Sequence, residues 1–372
     1  MLAYFSFMQS SLGPLTPFLR AELNLNYSET ALHLSAFALG MIIAGLGAER
    51  VAARWGRRAV FWVGALGLGA GGVLLTLGHQ VALTVSSAFV MGFLGAYLLV
   101  MIPACLADHH GSNRAIALTE SNVAASISAT VAPLMVGIGE AIGLTWRFGL
   151  LVGAGVCLLL AFIFRHTPIP AGGQPSQTQA SHPLPRRFWA YWLVVVLGAS
   201  LEWCMVFWGA DFLQNSVGLE KITASTLMSI FFVAMVIGRI IGSRLTRTFE
   251  SSRLLIFAVA VVGIGFPLFW LGRTPLLNII GLFVAGLGIA NLYPLTLSVA
   301  TSIDPEQANL ASARVLLAGG LAILVAPQVL ASFADRVGIF GAFGVAGGLL
   351  VAAAIIIFAA GRVPISAKAA SA

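Results

Sequence analysis

The sequence predicts an all-α membrane protein: twelve transmembrane helices in two pseudo-symmetric six-helix bundles. Three observations predict it. Of the 372 residues, 59% are hydrophobic and 9% charged, against roughly 25% charged in soluble domains. A surface so poor in charge faces lipid. Apolar runs recur along the whole chain, each near the ~20 residues that cross ~30 Å of hydrocarbon as a helix. They are continuous rather than alternating, so they form helices and not a closed barrel. Finally, the two halves of the chain repeat one another.

In chain order the spans are expected at 1–19, 28–48, 59–77, 81–104, 115–139, 144–164, 189–213, 224–243, 254–271, 275–298, 308–329 and 339–360. One interruption is not a span. From Arg165 to Arg187 the chain is rich in Pro, Gly, Ser and Gln, which cannot bury apolar surface and make a flexible linker. The expected organisation is an N-terminal bundle over 1–164, a linker over 165–188 and a C-terminal bundle over 189–372.

The halves match at a shift of 194 residues. Phe18-Leu19 falls on Phe212-Leu213, Phe37 on Phe231, Arg50 on Arg244, Phe89 and Gly92 on Phe283 and Gly286, and Ala132-Pro133 on Ala326-Pro327. At a shift of 195, Phe148-Gly149 falls on Phe343-Gly344. A nearly constant shift across five helices marks a parallel duplication of a six-helix unit, a design that binds its solute where the halves meet. Span 7 begins near Trp189, which maps ahead of Met1, so span 1 is short at its linker-side end and a start upstream of Met1 stays open.

Arginine and lysine placement orients the chain. With the linker in the cytoplasm, the cytoplasmic side holds Arg50, Arg54, Arg57, Arg58, Arg114, Arg165, Arg186, Arg187, Arg239, Arg244, Arg247, Arg253, Arg362 and Lys368. The other side holds Arg20, Arg147, Lys221, Arg273 and Arg336. Fourteen against five places both termini in the cytoplasm of a multi-pass protein of the inner (plasma) cell membrane. The net charge of +7 does not signal nucleic acid, because these arginines are scattered singly with no basic face. Cys105, Cys157 and Cys204 lie singly in apolar runs and read as small core residues rather than as a disulfide or metal site. No basic n-region precedes the first apolar run, so no cleavable signal peptide is expected.

The loop between spans 2 and 3 reads Glu49-Arg50-Val51-Ala52-Ala53-Arg54-Trp55-Gly56-Arg57-Arg58. It resembles the signature G-x-L-A-D-R-x-G-R-R of the major facilitator superfamily. The Arg-x-Gly-Arg-Arg end is intact, Glu49 replaces the leading glycine and Ala53 the aspartate. Gly242-Ser243-Arg244-Leu245-Thr246-Arg247 is a second, partial copy. With six plus six helices and a central linker, the resemblance covers essentially the whole chain. It implies transport by alternating access, a cytoplasmic latch at Glu49, Arg50, Arg54, Gly56, Arg57 and Arg58, and a cavity lined by spans 1, 4, 7 and 10. On those spans lie the candidate solute-binding residues Gln9, Tyr97, Glu202, Trp203, Asn291 and Tyr293, with Tyr4 nearby; Tyr97 and Asn291 are repeat mates. Amides, phenols and indoles suit a hydroxylated or weakly aromatic solute.

Ionisable groups inside the membrane are costly and mark function. Glu202 lies near the middle of span 7, with no arginine or lysine at its depth on spans 1, 4, 7 or 10, and is the candidate carrier of a coupling proton. Glu120 and Arg314 sit at matched depth on spans 5 and 11, since 120 plus 194 is 314, and are candidate gating residues. Asp108-His109-His110 does not make a metal site, because neighbours on a helix point apart. No nucleophile, metal cluster or phosphate loop is visible, so an enzyme, a cofactor and ATP-driven transport are not expected. The reading is a monomeric, proton-coupled secondary active transporter whose partners are a small-molecule substrate, protons and the lipid bilayer. A proton-antiport efflux pump for drugs or metabolites and a non-transporting membrane receptor are the alternatives.

Overall fold

A computed structural model of the protein describes residues 1–169 and 183–361. Most of the expected linker, together with Arg362 and Lys368, lies outside the described residues. Among the described residues every regular element is helical. Among the described residues ten helices are long and apolar enough to cross a membrane; they carry expected spans 2 to 12, and span 1 is made of two shorter helices. Span 1 is broken into Leu2–Ser11 and Thr16–Leu23. Spans 11 and 12 run on as one element, Ala308–Gly361, bent at Gly338, whose φ of 75° leaves the helical region. The others are Tyr27–Trp55, Arg57–Leu77, Val81–His110, Arg114–Ala141, Arg147–Phe164, Arg186–Asn215, Lys221–Leu245, Ser251–Leu271 and Pro275–Ser302, spans 2 to 10 in order.

The repeat is carried by the backbone as well as by residue identities. Tyr27, Arg57, Val81 and Arg114 begin spans 2 to 5, and Lys221, Ser251, Pro275 and Ala308 begin spans 8 to 11, each 194 residues later. The short 3-10 turn Gly111–Asn113 returns as Pro305–Gln307. The left-handed residue Asn24 returns as Gly218 and, at the shift of 195, Gly143 returns as Gly338. Left-handed backbone favours Gly, then Asn, so the duplicated turns retain those residues.

Packing explains the strongest repeat matches. A Cβ on Gly92 would lie 1.9 Å from the carbonyl oxygen of Phe37, and one on its mate Gly286 would lie 2.9 Å from that of Phe231. Span 4 therefore touches the backbone of span 2, and span 10 that of span 8, through a glycine; close helix contact through small residues is the general membrane solution. Phe37 and Phe231 are both fully buried. Within each half, span 1 packs on 5 as 7 packs on 11, and span 3 on 4 as 9 on 10. The halves meet along spans 2 and 11 and along spans 5 and 8.

The break in span 1 has a tertiary cause. Pro14 lacks the N–H that would continue the helix. At Gly13 a Cβ would lie 2.1 Å from the Val206 carbonyl oxygen of span 7, so only glycine lets the two backbones meet. Large apolar side chains such as Leu46, Phe162, Phe257 and Leu316 are exposed on the outside of the bundles, where a bilayer covers them.

Candidate functional site

The end of the molecule that carries Arg165 and Arg186 is termed the linker face, and the opposite end the far face. Bonds between the halves concentrate towards the far face. Arg20 of span 1 pairs with Asp211 of span 7 at 2.6 Å, and the Asp211 side chain is fully buried. The same Asp211 oxygen accepts from Asn215, and the other has no partner among the described residues. The Arg20 guanidinium lies 4.1 Å above the Tyr27 ring, which packs edge-on at 5.5 Å against Trp208 of the other half. Asp335, at the end of span 11, accepts from the backbone N–H groups of Tyr27 at 2.8 Å and Ser28 at 3.0 Å. A carboxylate thus meets the free N–H groups and positive dipole end of span 2. Ser225 donates to the Pro14 carbonyl at 2.9 Å, and Gln328 to the Ser28 carbonyl at 3.2 Å.

None of Arg20, Asp211 or Asp335 belongs to the site expected from sequence. A signal was present: the charges flank the repeated Phe-Leu pair, as Phe18-Leu19-Arg20 and Asp211-Phe212-Leu213. Also on the far face, Glu22 accepts from Arg147 and Trp146. The Arg147 hydrogen bond holds the Glu22 carboxyl below its ordinary range.

Towards the linker face the halves are less joined. Glu120 and Arg314 are both exposed and form no ion pair among the described residues; the Arg314 backbone carbonyl accepts from Trp192. Deeper in, Arg239 of span 8 donates to the Ser126 hydroxyl of span 5 at 3.0 Å. This bond crosses from one half to the other. Ser126 in turn donates to the Asn122 carbonyl, and Thr130 to the Ser126 carbonyl, so polar groups one helical turn apart line this side of span 5.

Glu202 is partly exposed near the middle of span 7 and has no hydrogen-bonded partner among the described residues. Arg239 of span 8, which counting had placed among the linker-side positive charges, makes no ion pair with it among the described residues. Trp203 and Gln9 are half-buried, with Gln9 making a long contact of 4.0 Å to the Met41 sulfur.

Two expected binding residues are committed within their own halves. Tyr97 is 8% exposed and packs with Ala44, Ala48, Val60 and Met101 between spans 2, 3 and 4. Asn291 donates to the Gly238 carbonyl at 2.8 Å and ties span 10 to span 8. Tyr4 is likewise buried, donating to the Ala65 carbonyl at 3.2 Å.

The loop between spans 2 and 3 turns at Gly56, whose φ is 82°. Arg57 pairs with Asp108 at the end of span 4, and Arg58 donates to the Arg165 carbonyl at the end of span 6. The carboxylate that engages the loop is Asp108, not Glu49; Glu49, Arg50 and Arg54 are exposed with no partner among the described residues. The loop laces three helix ends of one half together.

Comparison with known proteins agrees with this geometry. The family model described as Major Facilitator Superfamily matches residues 1–327 and 205–371. An uncharacterised MFS-type transporter of Yersinia pestis is 24% identical over 350 residues, 92% of this chain and 89% of the relative. Among solved structures, a bacterial homologue of the human lysosomal transporter Spinster, in an inward-facing and occupied conformation, superposes with a TM-score of 0.78. It is 14% identical, covering 97% of this chain and 95% of the other. A D-xylose–proton symporter superposes with a TM-score of 0.73 at 16% identity, covering 96% and 94%. Duplicated spans, signature loop and family match lead to one assignment: the chain belongs to the major facilitator superfamily of membrane transporters.

Proposed function

We propose that the protein is a proton-coupled secondary active transporter that moves a small hydroxylated or weakly aromatic solute by alternating access. One observation carries the reading. The far face is joined between the halves by Arg20–Asp211 and by Asp335 on span 2, while Glu120 and Arg314 at the linker end are exposed and form no ion pair among the described residues. Halves tied more closely at one end than at the other fit one of the two states that alternating access requires.

Residues 1–164 and 189–361 act as the two rocking bodies. Gln9, Glu202, Trp203 and Tyr293 face the solute, Glu202 takes up and releases the coupling proton, and Glu120 and Arg314 close the linker end. The linker face is cytoplasmic, on the fourteen-to-five excess of arginine and lysine, so the state described faces inward. Similarity to a proton symporter supports proton coupling.

Purified protein in proteoliposomes should accumulate solute when a pH gradient is imposed and lose that accumulation when a protonophore collapses it. Accumulation that ignores the protonophore would remove proton coupling, and absence of any flux would remove transport. A cysteine at Ser176, which lies outside the described residues, should react with an impermeant maleimide only in broken cells; ready labelling of intact cells would reverse the orientation.

A further inference from the structure

Arg239 occupies an unusual place for an arginine on a membrane span. It lies eighteen residues after Lys221 and six before Leu245 in a helix over Lys221–Leu245. An arginine that served only to anchor that end would extend its side chain towards the linker face and water. Helical side chains lean towards the N-terminus of their own helix, and here that direction is the far face. Arg239 follows it, reaching Ser126, twelve residues into Arg114–Ala141. The guanidinium is thus carried inward to the junction of the two halves.

Its partners there do not neutralise it. A guanidinium has five N–H donors, and among the described residues Arg239 hydrogen-bonds to the neutral hydroxyl of Ser126, which is itself donating to Asn122. No described carboxylate forms an ion pair with Arg239. Glu202, on the neighbouring span 7, makes no bond to it among the described residues. The residue remains exposed, so its remaining donors are accessible to a solute. A permanent cation held at this depth, with a planar fork of unused donors, matches the geometry of an oxyanion.

We propose that Arg239 is the anion-recognition residue of the central site, and that the transported solute carries a carboxylate, phosphate or sulfonate group. Ser126 holds the guanidinium from the opposite half, leaving the fork free for the solute. A bound oxyanion then joins span 8 to span 5 through Arg239 and draws the halves together at the linker end. This inference rests on the transporter reading and adds the chemical class of the solute.

The test uses the full-length protein in proteoliposomes. They are incubated with an aqueous metabolite extract of bacterial cells spiked with gluconate, succinate and benzoate and their neutral counterparts glucose, succinamide and benzamide. Internal contents are compared with those of empty liposomes by mass spectrometry. Wild type should enrich species that carry an acidic group over neutral ones. Arg239→Gln should cut that enrichment by about tenfold or more, as expected for loss of a charged hydrogen-bonded pair, and Arg239→Lys should retain the preference for acids at reduced level. Thermal melts of the three proteins check that the variants fold. Enrichment of neutral or cationic species alone, or an Arg239→Gln variant that folds and enriches acids like wild type, would overturn the assignment and leave transport standing. If wild type enriches nothing, the transporter reading falls and this inference with it.

Discussion

Arg20 and Asp211 form an ion pair 2.6 Å long that crosses from one half of the molecule to the other, with the Asp211 side chain fully buried. Because the partners belong to different halves, any motion that opens the far face must break it. Removing one partner of a buried pair costs about 3–5 kcal/mol. Asp211→Asn or Arg20→Ala should therefore shift the population towards the far-open state. With the native cysteines removed, a cysteine at the buried Ser225 reports that opening through its reaction with an impermeant maleimide. Equal labelling rates in the parent and both variants would show that the pair does not hold the gate.

Gly13 tests the same closure by volume rather than charge. A Cβ there would lie 2.1 Å from the Val206 carbonyl oxygen, so Gly13→Ala must push spans 1 and 7 apart. Overpacking of this kind costs about 1–3 kcal/mol. The expected result is a lower melting temperature in detergent together with faster labelling at Ser225→Cys. An unchanged melting temperature would mean the contact relaxes without cost.

Glu120 and Arg314 are expected to meet, directly or through solute, when the linker end closes. Each single alanine variant should impair transport by stranding the other charge in a closing gate. The exchange Glu120→Arg with Arg314→Glu should recover part of the loss if the two pair directly. Normal transport by both alanine variants would reduce the pair to surface charge.

Glu202→Gln retains the shape and hydrogen-bonding capacity of the side chain and cannot take up a proton. The variant should still exchange solute across vesicles while losing accumulation driven by a pH gradient. If it accumulates solute as wild type does, the proton travels elsewhere, and Glu120 is the next residue to test.

Glu22 supplies a pH signature on the far face. Its folded carboxyl is held below the ordinary range by the Arg147 hydrogen bond, so the ionised form favours the folded state. That contribution is complete above the unfolded carboxylate range and is lost as pH falls through the lowered folded value. Glu22→Gln should lower the melting temperature at neutral pH, and the gap to wild type should close on acidification. A gap that does not change with pH would trace the effect to packing against Trp146 instead.

Some of this was legible along the chain and some was not, and the division has a physical cause. Span number and the duplication depend on hydrophobic length and on residues compared at a fixed shift, which are properties of the sequence. The shift of 194 read from Phe37 and Gly92 also relates the observed starts of spans 2 to 5 to those of spans 8 to 11. Position along a span was legible too, because the fixed shift sets it. What a side chain meets at that position was not. Tyr97 and Asn291 stand at matched positions, yet helix rotation, set by packing, turns each into its own half. Arg239, counted as a linker-side charge, is directed inward to Ser126, 113 residues earlier in the chain. Arg20 and Asp211 stand 191 residues apart and were unremarkable singly. Only the docking of the halves makes one the partner of the other, because that docking removes the water that would otherwise screen them.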